Sequence, residues 1–152
     1  MTMLSMAILY LQKNSVFAKA YANKTANKKN YWEFYYEDSM NLSAQLPRVA
    51  ALIYRHKFYN GKLIPADESL DWAANYSHML GHDSEVMYEC FRGYLSMHCD
   101  HEGGNVSAHS THLVGSALSD AYLSYSAGIN GLAGPLHGLA NQEVLDWILS
   151  LK

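Results

Sequence analysis

Near the end of the chain the sequence reads GINGLAGPLHGLANQEVLDWI, residues 128–148. Its single histidine, His137, has a type and a setting that suit chemistry. Gly128, Gly131, Gly134 and Pro135 lead up to it. Pro135 fits the first position of a helix, where a missing N–H costs nothing. That places His137 in the first helical turn, where the positive end of the dipole disfavours an imidazolium ion. The ring is then expected to be neutral at about pH 7 and to work as a hydrogen-bond donor, as a polariser of a carbonyl does. Gly134 and Gly131 before it let a backbone or a ligand come close. A packed helix start with a buried histidine is the other reading, and these residues alone do not choose between the two.

A second cluster is MHCDHEGGNVSAHSTH, residues 97–112. His98 and His101 are three apart, as are His109 and His112. Pairs at that helical spacing can chelate zinc, and Cys99 could join them. No zinc pattern of established spacing is present, however, and the pairs fall on different predicted helices. Gly103-Gly104-Asn105 opens a helix whose N–H groups favour a carboxylate, and His101 lies just before it. Three readings stay open here: a surface loop with incidental histidines, an anion site at His101 and the helix N–H groups, and a metal site. No Ser-His-Asp constellation can be argued from spacing. GLAGPLHGL matches neither GxGxxG nor GxxxxGK[ST], so no phosphate-binding loop is read. Glu143 and Asp146 read as solvated or interfacial.

The elements that must hold these residues are helical throughout. The chain has 152 residues, enough for one domain with a sizeable core. Apolar residues make up 49% and charged residues 16%, a globular composition. A net charge of −3 gives no argument for nucleic acid or an anionic membrane surface. Two cysteines make no disulfide framework and read as reduced thiols of an intracellular compartment. No apolar run approaches the roughly 18 residues of a membrane span.

Helical periodicity puts Met3, Met6, Ala7, Tyr10 and Leu11 on one face of a first helix. Ser15 caps a short second helix through Tyr21. A long helix is predicted from Tyr31 to about Lys57, with Trp32, Tyr35, Leu42, Leu46, Ala50 and Ile53 inward. Pro47 is expected to kink or break it. Asn60-Gly61, Pro65, Asp67 and Ser69 mark a connection. Helices then follow over 70–80, ended by Gly81, from Asp83 or Ser84 through Leu95, over 105–118, over 121–129 and from Leu136 onward. No hairpin chemistry and no repeat is found. The fold class is all-α. The last helix carries no stop signal and the first begins almost at residue 1, so both ends read as cut from something larger.

The stretches HEGGNVSAH, LVGSALSDAYLS and NGLAGPLHGLANQEVL closely resemble citrate synthase of the eukaryotic mitochondrial type. The spacing of His101 and His137 matches as well. The likeness continues upstream through FAKAYANK, YWEFYYEDSMNLSAQLPRVAALIYR and SLDWAANYSHMLG, with small length changes around residues 23–30 and 60–67. The resemblance implies a helical bundle corresponding to the central part of that family's large domain, residues 1–152. It implies a mitochondrial matrix location and a homodimer formed through the central helices. The family condenses acetyl-CoA with oxaloacetate to citrate and CoA, acetyl-CoA being a co-substrate, with no cofactor and no metal.

By resemblance, His137 is the catalytic donor to the acetyl thioester oxygen, and Leu136 lines the CoA site. His101 and Asn105 bind oxaloacetate. The carboxylate base, a second catalytic histidine and the substrate-binding arginines belong to family motifs that these residues do not contain, so this chain alone is expected to be inactive. A non-catalytic dimerisation or interaction remnant is the alternative. A small metal-binding helical protein using His98, Cys99, His101, His109 and His112 is the weaker third.

Overall fold

The computed structural model describes residues 1–99 and 103–151. Among these the chain forms eight α-helices and no strand, in keeping with the all-α expectation. They are α1 (Thr2–Leu11), α2 (Val16–Ala22), α3 (Tyr31–Phe58), α4 (Trp72–Leu80), α5 (Glu85–Met97), α6 (Val106–Ser116), α7 (Ala121–Leu132) and α8 (Ala140–Ser150), with a 3₁₀ turn at Gln12–Asn14. The chain divides into two compact units, Met1–Ser39 with Glu102–Lys152, and Met40–His101. The boundary falls inside α3.

In the first unit, Ser15 caps α2 as expected, its hydroxyl accepting from the Ala18 N–H at 3.0 Å. The sequence did not reveal what lies beneath this cap. Asp38 of α3 is fully buried. Its carboxyl group accepts from the Ser15 hydroxyl at 2.6 Å, the Val16 N–H at 2.6 Å and the Phe17 N–H at 3.2 Å. A helix start leaves its first N–H groups without intrahelical partners, and a carboxylate is the acceptor that the local dipole favours. Phe17 packs beside this contact, with its ring centroid 4.3 Å from that of Tyr35 and Tyr31 edge-on at 5.7 Å.

Tyr35 donates to the Ser119 carbonyl at 2.5 Å. Burial first, then the charges of Asp120 and Asp38, push its phenol up, which keeps the proton in place for that bond. Asp120 caps α7 through the Leu123 N–H at 3.0 Å and accepts from Gln12 Nε2 at 2.8 Å.

The apolar face that periodicity gives α1 is not the face that is buried. Met3, Met6 and Tyr10 are exposed, while Ser5 and Ile8 are buried. The helix is apolar on nearly all sides, so periodicity cannot choose a face. Close approach to α7 does: the Ser5 and Ser126 hydroxyls meet at 2.7 Å.

In the second unit the remainder of α3 runs through Pro47 without a break. Pro47 has no N–H for the Ser43 carbonyl. The Trp72 indole N–H supplies one at 3.1 Å, from the start of α4. Along α3, Leu42 and Ala51 are buried; Tyr35, Leu46, Ala50 and Ile53 are half-buried, and Trp32 is 65% exposed, contrary to expectation.

Asp71 caps α4, accepting from the Ala73 and Ala74 N–H groups at 3.0 Å each. Gly81 ends α4 at φ 104°, the left-handed conformation that glycine adopts without strain. Ser84 caps α5 through the Met87 N–H. Arg55, 7% exposed, closes two helix ends at once. Its Nε donates to the Lys62 carbonyl at 2.7 Å, beyond the end of α3, and its Nη1 to the Leu80 carbonyl at 3.2 Å, the last of α4. Among the described residues no helix is long and apolar enough to cross a membrane.

Candidate functional site

The site lies in the first unit, where α6 and α7 pack closely. Asn105 caps α6, its Oδ1 accepting from the Ala108 N–H at 2.9 Å. Three glycines set the helix contact. A Cβ on Gly128 would collide with Thr111 Oγ1 and lie 3.0 Å from the Ser107 carbonyl. One on Gly131 would lie 3.1 Å from Val106 Cγ1, and one on Gly115 would lie 3.4 Å from Ser124 Oγ. Small residues thus bring the end of α7 against the start of α6, an instance of close packing that one added methyl disturbs. Gly131 takes the close approach of another backbone, one of the two alternatives that the sequence offered for it, and Gly128 serves the same helix contact.

Beyond α7 the chain makes consecutive turns over residues 133–139. Their hydrogen bonds run from Gly138 N to Leu132 O at 3.0 Å, from His137 N to Gly134 O at 3.0 Å and from Leu139 N to Gly134 O at 3.3 Å. His137 therefore precedes α8, which starts at Ala140, and does not occupy its first turn. Pro135 suggested an earlier start, but the tight Gly138–Leu132 bond turns the chain first. The helix-dipole argument for His137 does not carry over, since that effect is confined to the first turn.

Hydrogen bonding places its proton instead. His137 Nε2 lies 2.9 Å from Ser107 Oγ, and Ser107 Oγ donates to Asn105 Oδ1 at 2.6 Å. Serine has one hydroxyl hydrogen. With that hydrogen on Asn105, Nε2–H must donate to the serine oxygen.

Two of the sequence-derived residues, His137 and Asn105, are thereby joined through Ser107. Nothing in the sequence singled out Ser107, because its contact with His137 spans 30 positions. Leu136, beside His137, is fully exposed. His101 lies outside the described residues. Among the described residues no three His, Cys, Asp or Glu side chains gather as a metal cluster. His98 closes α5 by bonding the Tyr94 carbonyl through Nδ1 at 2.7 Å and stacking on the Tyr94 ring.

Fold and site together define an all-α protein with a histidine–serine–asparagine relay at the mouth of a small-residue helix pair. The family model described as citrate synthase, C-terminal domain, matches residues 1–152. The chain belongs to the citrate synthase family. It is 72% identical over 149 residues to the mitochondrial citrate synthase of Tetrahymena thermophila, covering 98% of this chain and 32% of that protein. Against the mitochondrial citrate synthase of Solanum tuberosum it is 60% identical over 152 residues, covering 99% and 32%.

Among solved structures, citrate synthase from Pyrobaculum aerophilum superposes with a TM-score of 0.83 at 28% identity, covering 97% of this chain and 37% of that one. Citrate synthase from Thermotoga maritima gives 0.59 at 25% identity, covering 68% and 28%. The chain spans about a third of the length of the curated relatives it matches.

Proposed function

We propose that these residues are part of the large domain of a mitochondrial citrate synthase. That enzyme would condense acetyl-CoA with oxaloacetate and water to citrate and CoA, the first step of the tricarboxylic acid cycle. The observation that carries this reading is family membership along the whole chain, residues 1–152, including the stretch that holds His137. Acetyl-CoA is a co-substrate, and no cofactor is invoked.

In this reading His137 donates to the thioester oxygen. It stabilises charge that develops there as the methyl proton leaves, so the interaction strengthens toward the transition state. A neutral ring donates from Nδ1 only if Nε2 is an acceptor. In the tautomer that carries its one hydrogen on Nδ1, reached by exchanging the Nε2 hydrogen through solvent, Nε2 accepts from the Ser107 hydroxyl, whose hydrogen turns to it from Asn105 Oδ1. Ser107 is then a positioning residue that selects the tautomer. His101 and Asn105 are assigned to oxaloacetate. The fully exposed Leu136 is assigned to the apolar wall of the CoA site.

The base for the methyl proton, the second histidine and the arginines are assigned to motifs outside these residues, so the 152-residue chain is proposed to bind without turnover. Homodimerisation is proposed from the exposed apolar surface. No residue of α8 is buried, and its Val144, Leu145, Trp147, Ile148 and Leu149 are exposed, the kind of face that another chain or segment covers. The same face favours the second reading, an interaction remnant without catalysis.

Isothermal titration of the chain with acetyl-CoA tests the site. His137→Ala is expected to weaken binding about 10-fold and Ser107→Ala about 3- to 10-fold, the effect of one lost hydrogen bond, with helicity by circular dichroism unchanged. Equal affinity in a folded His137→Ala variant would remove His137 from the site.

A further inference from the structure

A further histidine lies in the other unit, away from His137 in sequence and in no part of the reading above, and both of its ring nitrogens are engaged. His78, on α4, is half-buried. Its Nδ1 is 2.5 Å from Asp83 Oδ1, and its Nε2 is 3.1 Å from the Pro65 carbonyl. A carboxylate and a peptide carbonyl have no hydrogen to give, so satisfying both contacts takes two N–H groups on one ring. We propose that His78 is a proton-operated latch on the connection between α3 and α4, holding Pro65 while the ring carries both hydrogens and releasing it when one is lost.

The direction of release follows from the acceptors. A neutral ring keeps one hydrogen, and the carboxylate, the stronger acceptor, retains it on Nδ1. The Nε2 lone pair then faces the Pro65 carbonyl oxygen, and that contact turns repulsive. A second attachment does not titrate. The Asn75 side-chain amide donates to the Asp67 carbonyl at 2.8 Å and accepts from the Asp67 N–H at 3.1 Å. Asn75 and His78 are three apart and share one face of α4. Losing the His78 contact therefore frees the stretch before Asp67 and leaves Asp67 held. Leu63, Ile64, Pro65 and Ala66 in that stretch wall a cavity of about 210 Å³, which Arg48 and Arg55 also line, so the latch controls one wall of it.

The ionisable groups around the ring are Asp83 on the turn before α5, Tyr88 on α5, whose hydroxyl donates to Asp83 at 2.9 Å, and Asp67 on the connection itself. Glu85 adds charge near Tyr88. The hydrogen bonds from His78 and then Tyr88 hold the Asp83 carboxyl below the usual carboxylate range. A depressed carboxyl contributes above its ordinary pKa and is lost only as pH falls through the lowered value, so Asp83 keeps its part well into acid. On the alkaline side the latch fails when the ring gives up its second hydrogen.

Nuclear magnetic resonance of the full chain from pH 5 to 8.5 tests the latch through the Ala66 amide, which shares its peptide unit with the Pro65 carbonyl. The Ala66 shift is expected to follow one titration. The Asn75 side-chain amide should stay constant. His78→Gln should abolish the Ala66 titration, and Asp83→Asn should move it to lower pH. A flat Ala66 profile in the unmodified chain overturns the proposal, as does an unchanged titration in either variant. A loss of acetyl-CoA binding at His137 leaves this test untouched, because the two readouts involve different residues.

Discussion

Asp38→Ala is expected to lower the unfolding free energy by about 3–5 kcal/mol, the cost of leaving three donors without their buried acceptor at roughly 1 kcal/mol or more each. Three donors converge on this carboxyl group: the Ser15 hydroxyl and the Val16 and Phe17 N–H groups. Ser15 and Phe17 are themselves buried, so water cannot fully replace the lost acceptor. The start of α2 should fray and loosen the Phe17 contact with Tyr35. At this chain length the melting temperature falls roughly 2–4 °C per kcal/mol. Asp38→Asn, which keeps one acceptor oxygen but turns an amide N–H toward a donor, should cost about half as much. Urea denaturation followed by circular dichroism measures both. A loss below about 1 kcal/mol for Asp38→Ala would mean that the Ser15 cap suffices and the carboxyl group is incidental.

Gly138→Ala should affect stability and the site together. The new Cβ would stand 2.5 Å from the Leu132 carbonyl oxygen and 2.8 Å from Leu132 Cγ and Cδ1. The closest of these atoms is backbone, and the Gly138 N–H is bonded to the same oxygen at 3.0 Å, so it cannot simply yield. The expected cost is about 2–3 kcal/mol, the overpacking range. The turn that carries His137 must open, drawing the ring away from Ser107. Acetyl-CoA affinity in the titration described above should fall about 10-fold with it. Gly134→Ala is the matched control. Its Cβ would meet only the Gly131 carbonyl at 3.4 Å, an ordinary contact, so stability and affinity should change little. Equal behaviour of the two variants would detach the turn geometry from binding.

What could be read from the sequence was mostly local. Ser15, Ser84, Asn105 and Gly81 announced helix ends because capping depends on a residue and its next few neighbours. The face of α1 was not readable, since apolar residues surround that helix and the deciding Ser5–Ser126 contact spans 121 positions. Asp38 was hidden for the same reason, 23 positions from its serine partner. At the site, His137 and Asn105 stood out by type and setting. Ser107 did not, although it joins them. The start of α8 was misplaced because Pro135 carries a strong helix-start signal, while the competing bond from Gly138 to Leu132 depends on the packing of α7.

The central claim is that these residues hold ligand sites of a citrate synthase while the proton-removing base lies elsewhere. Isothermal titration of the purified 152-residue chain with oxaloacetate, with a citrate-formation assay on the same sample after adding acetyl-CoA, tests it most directly. The account predicts measurable oxaloacetate binding and no citrate. Citrate above the protein-free control would contradict it by requiring a base within the chain. Absence of binding by a folded sample would contradict it from the other side, leaving the interaction remnant as the better description.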